Sequence, residues 1–399
     1  MTMSMLKKIY LLNILFLFPM WMSKTIQPLY WNIEGKLSLF SASYVAMAVA
    51  GTFSLIYAGM IRKAGIRNAL LLGYLFYGAG LILRAYPLNF TVAVLTGVIA
   101  GIGASVTGLA LKGLILEVRE EKRKQVILQT GNISTLSQSL GALISGLLVS
   151  LLALFFKDGY QQTLIVTGLI TVAGTLFLPY EKEIRKAESV NIVKKIPAWE
   201  AFRTVNKKLY ASIFFAFFVH GACWAVIIPL VPVYLKNLAL SPGEIGSVIS
   251  LGVISGFLLK NLYVFLSKSA GKNYSLVIFT VLTCCSLFIS FRLLGLNESL
   301  LYSVSIVAFY MFRTVLLMII DMKEVEIANK GHSMAVFGIR QTAFLTGDVA
   351  GGIAMPYLYK GMILANHSLV FIMLILFASF MIVSCSKLSE RKEWNETLS

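Results

Sequence analysis

Lys7-Lys8-Ile9-Tyr10 opens a long apolar run, and Lys207-Lys208-Leu209-Tyr210 opens another about 200 residues later. The correspondence continues in order. Ile26-Gln27-Pro28-Leu29 returns as Ile227-Ile228-Pro229-Leu230, and Tyr57 through Ala64-Gly65 returns as Tyr263 through Ala270-Gly271. Glu117-Val118-Arg119-Glu120 returns as Asp321-Met322-Lys323-Glu324, and Gly141 with Ser145-Gly146 returns as Gly347 with Gly351-Gly352. Two half-length copies in an apolar chain imply a membrane protein built about a pseudo-two-fold axis, with a central site between the halves.

Composition agrees. The chain is 58% hydrophobic and only 13% charged, where a water-soluble domain carries about a quarter charged residues. Apolar stretches recur, each near the roughly 20 residues a helix needs to cross a bilayer. About twelve are expected, at 9–31, 38–61, 69–86, 90–116, 126–155 and 160–179, then 209–235, 243–267, 275–294, 299–320, 333–358 and 366–386. The fold class expected is therefore an all-α integral membrane protein of two six-helix pseudo-symmetric bundles. An N-terminal bundle spans 1–180, a linker 181–208, and a C-terminal bundle with a short tail 209–399. The first stretch is too long for a cleaved leader, contains Pro19 and Pro28 and shows no small-x-small cleavage site, so it is expected to stay.

The net charge of +17 does not point to nucleic acid, because its distribution alternates. Arg62, Lys63 and Arg67, then Arg119, Lys122, Arg123 and Lys124, then the 180–208 linker, Lys268 and Lys272, Lys323 and Lys330, and the tail from Lys387 are basic. The opposite connections carry little beyond Lys36, Arg84, Lys157, Lys236, Arg292 and Lys360. This positive-inside asymmetry puts both termini and the linker in the cytoplasm of a cell-membrane protein, with the basic face toward anionic lipid. Trp199 and Phe202 in the linker fit a short interfacial helix. Cys223, Cys284, Cys285 and Cys385 all lie in apolar stretches without metal-ligand spacing, so no disulfide, metal or cofactor is implied. Gly97, Gly101, Gly103 and Gly108, Gly252 with Gly256, and Gly347 with Gly351 read as seams where helices approach closely.

Together the repeat, the charged middle loop and Pro229-Leu230-Val231-Pro232-Val233-Tyr234-Leu235-Lys236-Asn237-Leu238, followed by Ser241-Pro242-Gly243-Glu244-Ile245-Gly246, resemble the major facilitator superfamily over essentially the whole chain. That resemblance implies a twelve-helix secondary transporter working by alternating access, with helices 1, 4, 7 and 10 lining a cavity and 2, 5, 8 and 11 beside them. The family's motif between helices 2 and 3 is present only in part, as Ala58-Gly59-Met60-Ile61-Arg62-Lys63-Ala64-Gly65-Ile66-Arg67, with Arg62 in the usual Asp position. Arg62, Lys63, Gly65, Arg67 and Glu117 are read as a conformational latch. In helix 5, Gly141-Ala142-Leu143-Ile144-Ser145-Gly146 is similar to the family's antiporter signature but lacks its Pro.

Charged residues inside apolar helices are costly, roughly 2.5–3.5 kcal/mol each on insertion scales, and mark wet cavities or partners. Lys24, Lys112, Lys260, Arg313 and Arg340 are the basic ones, and Asp348 is the acid. Lys112 and Lys260 lie near helix ends and can snorkel. The expected substrate-binding set is Lys24 with Trp21 and Gln27, Arg313 with Tyr310, Arg340, and His220 with Trp224, the last pair standing opposite Lys24 by pseudo-symmetry. Asn132, Thr135, Gln138 and Ser139 form a polar flank for substrate or for a neighbouring helix. Asp348, eight residues after Arg340, is either an ion-pair partner of Arg340 or another cavity base, or a proton-coupling carboxylate.

Excess buried positive charge implies a small organic anion as cargo, recognised through bidentate guanidinium contacts. Proton-coupled export is the expected direction. Broad drug efflux, import of an organic anion and a non-transporting membrane sensor stand as alternatives. An enzyme is not expected, since no metalloprotease, nucleophile-elbow or phosphate-loop pattern appears. The partners expected are a small molecule, protons and lipid, with the chain acting as a monomer.

Overall fold

The computed structural model describes residues 2–116, 118, 120–180, 207–269, 272–294, 296, 298–328, 333–360 and 369–382. They form helices and no strand. In chain order these are α1 (Thr2–Ile33), α2 (Leu37–Thr52), α3 (Ser54–Ala64), α4 (Ile66–Leu83), α5 (Phe90–Leu116), α6 (Glu120–Leu152) and α7 (Gly159–Ala173). Then follow α8 (Lys207–Ile227), α9 (Val231–Asn237), α10 (Pro242–Ser269), α11 (Lys272–Leu294), α12 (Ser299–Ala328), α13 (Ser333–Lys360) and α14 (Leu369–Ile382). Among the described residues eight helical stretches are long and apolar enough to cross a membrane, and Leu37–Thr52 and Leu369–Ile382 are shorter apolar helices. Many are apolar around their whole circumference: in α4, Leu70, Tyr74, Tyr77 and Leu81 are buried while Leu71, Leu72, Leu75 and Phe76 are exposed. A helix apolar on both faces needs lipid on the outer one.

Breaks in the helices have local causes. The expected stretch 38–61 divides at Phe53 into α2 and α3. The carbonyls freed at the end of α2 are taken by side chains: Thr52 donates to Val49, Tyr57 to Ala50 and Ser54 to Gly51. Between α3 and α4 the chain turns on one residue, Gly65, at φ 85°, a backbone that an L side chain strains to adopt. Asp158 caps α7 through the backbone amides of Tyr160 and Gln161. At the start of α10, Ser241 and Glu244 form a reciprocal capping box around Pro242.

Cα proximity divides the chain into two units, Met1–Lys194 with Pro229–Leu251, and Lys195–Ile228 with Gly252–Ser399. In the first, α1 packs on α6 and α7, and α5 on α2 and α4. The Tyr74 hydroxyl donates to the Leu12 carbonyl at 2.6 Å, and Tyr10 to Gln129. Gly97 and Gly101 set the α2–α5 seam, where a Cβ would stand 2.2 Å from the Ser43 carbonyl oxygen and 2.3 Å from that of Met47. Gly103 meets Tyr77 in the same way, whereas Gly108 faces open space and makes no seam.

In the second unit α8 packs on α13, and α12 on α11 and α13. Gly252 and Gly256 bring α10 against Tyr310 and Thr314 of α12, and Gly347 and Gly351 bring α13 against the carbonyls of Phe218 and Ala222. One contact occurs in both units: Gly141 lies on the Phe18 carbonyl as Gly347 lies on that of Phe218.

Candidate functional site

The glycine seams of the second unit press three helices around one aromatic and cationic cluster. On α8, His220 and Trp224 are one turn apart, with ring centroids at 5.4 Å in an edge-on arrangement. Trp224 meets Phe309 of α12 at 5.8 Å, and Phe309 meets Tyr310 at 5.3 Å. The Arg313 guanidinium lies over the Trp224 ring, its Cζ 4.9 Å from the centroid. Such stacking is worth about 2 kcal/mol once desolvated, and Arg313 is 7% exposed. From α13, Phe344 reaches His220 at 6.4 Å. The charges of Arg313 and Arg340 both act on His220.

The cluster holds unused hydrogen-bonding capacity. Among the described residues neither ring nitrogen of His220 nor the indole N–H of Trp224 has a partner, and all three atoms are buried. Leaving such a group unmade costs about 1–3 kcal/mol. Its ordinary explanation is a ligand or ordered water.

Arg340 has a partner on α12 that the sequence does not single out. Its guanidinium pairs with Asp321 of α12 at 2.7 Å and stacks over Phe217 at 5.1 Å. That partner lies on a neighbouring helix and not on its own. The reason is helix direction. Neighbouring α12 and α13 run antiparallel, and Arg340 and Asp321 mark a common level. Eight residues back along α12 is Arg313, and eight residues on along α13 is Asp348, each about 12 Å from that level. Asp348, 8% exposed, thus stands at the height of Arg313.

In the first unit the expected set is less enclosed. Lys24 is exposed, its ammonium 4.5 Å from the centroid of the half-buried Trp21 ring, while Gln27 is buried. Lys112 is exposed, and Lys260 of the second unit lies over Phe257. Of the polar flank, Ser139 bonds across to Ser250 at 2.8 Å, and Thr135 bonds back to the Gly131 carbonyl. Glu34 is an exposed partner of Lys36. In the latch, Gly65 makes the turn, with Lys63 and Arg67 exposed beside it. Arg62 contributes to the α3 backbone, and Glu117 lies outside the described residues. No group of three His, Cys, Asp or Glu suited to a metal occurs among the described residues.

One buried charge escaped the sequence reading. Arg84, expected on an exposed connection, is 4% exposed. It donates to the Ser23 hydroxyl and the Met47 thioether, each at 3.0 Å. The only signal in the sequence is its isolation after a long apolar helix, which says where the residue lies but not which way its side chain turns.

The family model described as the Major Facilitator Superfamily matches residues 9–343. No curated protein sequence matches the chain. Among solved structures, the nucleoside transporter NupG is similar with TM-score 0.66 and 13% identity, covering 97% of this chain and 98% of that one. A POT family transporter in complex with 5-aminolevulinic acid gives 0.68 and 13%, covering 96% of both chains. A D-xylose-proton symporter gives 0.68 and 14%, covering 96% and 97%. At these identities the likeness is one of fold.

Proposed function

We propose, from the premise that this chain belongs to the Major Facilitator Superfamily, that it is a secondary active transporter of a small organic anion. The observation that carries this is Arg313 stacked on Trp224 beside His220 and Tyr310, in a cluster whose imidazole and indole nitrogens have no partner among the described residues. A carboxylate seated there receives a charge-assisted hydrogen bond from the guanidinium and a neutral one from the indole N–H. The imidazole offers a donor and an acceptor to the rest of the molecule. Arg340, engaged with Asp321, takes the role of a strut between α12 and α13.

Asp348 supplies the coupling. At the height of Arg313, its carboxylate and an incoming anion compete for the same positive charge. Protonation of Asp348 removes the competitor, so proton and anion bind together and move in the same direction. An inward proton gradient then drives uptake. Export, the direction suggested by the Gly141–Gly146 element, needs proton and anion to exclude one another and is the second reading. On this reading the chain crosses twelve times: α2 with α3 and α8 with α9 count as single broken crossings, and α7, α13 and α14 are added to the longer apolar helices. On the same reading both termini lie in the cytoplasm, which the basic connections support, and the chain acts as a monomer.

An untargeted comparison of medium and cell contents, with and without the gene, identifies the cargo and its direction. With the cargo known, the full chain is reconstituted in liposomes. Arg313→Met is expected to lose transport while folding normally. Asp348→Asn is expected to keep exchange but lose accumulation driven by a pH gradient. Wild-type transport by Arg313→Met would remove the anion reading.

A further inference from the structure

Arg84 follows α4 directly, at a helix end where a long cationic side chain ordinarily turns outward to the headgroups. It does the opposite. Its backbone carbonyl is held by the indole N–H of Trp31 at 2.9 Å, while its guanidinium reaches Ser23 on the same helix. Ser23 and Trp31 are eight residues apart on α1, about 12 Å along the axis. The side chain therefore runs back into the bundle, away from the end of α1 at Ile33.

What it meets there is a poor set of partners for a full positive charge. Ser23 is a neutral hydroxyl, and the Met47 thioether is a weak acceptor on an adaptable side chain. Among the described residues no carboxylate bonds to Arg84, and its Nε has no partner. Tyr77 stands seven residues, or two turns, earlier on α4 and so on the same helix face. Its hydroxyl is also buried and without a partner among the described residues. One buried cation thus has two buried donors beside it that take no acceptor among the described residues, and an anion is an acceptor that suits both.

We infer that Arg84, Ser23 and Tyr77 form an anion-binding subsite in the first unit, which takes a singly charged group, either free halide or a carboxylate. The guanidinium supplies charge and a donor at Nε, Tyr77 and Ser23 supply hydroxyl donors, and Met47 is the neighbour that moves aside. This subsite stands apart from the Arg313 cluster and does not depend on it.

The test is thermal unfolding of the purified full-length protein at constant ionic strength. Sodium methanesulfonate is replaced stepwise by sodium chloride in one series and by sodium acetate in another. Wild type is expected to gain roughly 2–4 °C at saturation. Arg313→Met is expected to keep that gain, and Arg84→Met to lose it. A response confined to chloride identifies a free halide, and one confined to acetate a carboxylate. Tyr77→Phe removes an unbonded hydroxyl, so a purely structural role predicts no loss of stability. The subsite predicts at least a threefold rise in the half-saturating anion concentration, and this variant decides the matter if Arg84→Met does not fold. An unchanged response in Arg84→Met or Tyr77→Phe, or no response in wild type, overturns the inference. A response lost in Arg313→Met but kept in Arg84→Met moves anion binding to the second-unit cluster alone.

Discussion

Replacing Gly347 by alanine adds one methyl group where α13 lies on α8. That carbon would stand 2.0 Å from the Phe218 carbonyl oxygen and 2.7 Å from the Ala222 amide nitrogen. Both are backbone atoms, so no rotamer change relieves the clash. The helices must separate by about 1 Å, or one must rotate, and either motion disturbs a seam packed at interior density. Overpacking of this kind costs about 1–3 kcal/mol. The disturbance falls next to the site, because Asp348 is the following residue and Phe344, three positions earlier, touches His220. Gly108→Ala is the control. Among the described residues no atom outside its own stretch of helix backbone lies within 4 Å of the added carbon, and alanine in a helix interior gains about 0.4–1 kcal/mol over glycine. Fluorescence-monitored unfolding of the two purified variants should give a melting temperature several degrees lower for Gly347→Ala and slightly higher for Gly108→Ala. Equal melting temperatures for Gly347→Ala and wild type would refute the seam.

The Arg340–Asp321 pair spans 2.7 Å, but the Asp321 side chain is 61% exposed. A double-mutant cycle with Arg340→Gln and Asp321→Asn should therefore return a coupling energy of about 0.2–1 kcal/mol, and several kcal/mol would show a desolvated pair. Trp224→Phe keeps an aromatic face under Arg313 but removes the unpartnered indole N–H. Apparent substrate affinity should fall about threefold to tenfold with expression unchanged, and equal affinity would show that the indole does not reach the cargo. Asp158→Ala strips the cap from α7 and should lower stability by about 1 kcal/mol in equilibrium unfolding, whereas Asp158→Asn, which still accepts, should cost less.

How much could be read from the chain alone depends on the range of the interaction. The apolar stretches, the turn at Gly65 and the Ser241–Glu244 cap are properties of neighbouring residues. Transfer energy, allowed backbone angles and local hydrogen bonds act within a few positions, so the apolar stretches are read directly, while the Gly65 turn and the Ser241–Glu244 cap, equally local, enter only as motif residues. The glycine seams were legible in part. Spacing places Gly97, Gly101, Gly347 and Gly351 on helix faces, yet Gly108 continues the same run and meets nothing, because only helix rotation decides which face has a neighbour. His220, Trp224, Tyr310 and Arg313 were identifiable as polar or aromatic residues in apolar helices. Their convergence on one stack required α8, α12 and α13 to be packed.

Pairings between helices lay beyond the sequence for the same reason. Eight-residue spacing shows that Arg340 and Asp348 share a helical face, but a shared face is not a contact across 12 Å of axis. Antiparallel packing hands Arg340 to Asp321 and sets Asp348 level with Arg313. Arg84 is the clearest case. Its position after an apolar helix suits an outward-pointing cation, and nothing local distinguishes outward from inward. Trp31 on its carbonyl and Ser23 on its guanidinium turn it inward, and both belong to another helix. The chain by itself determined that apolar helices recur along its length and which charged residues are costly within them. Which of those residues face one another was decided only by helix packing, since side-chain direction depends on neighbours more than 50 residues away.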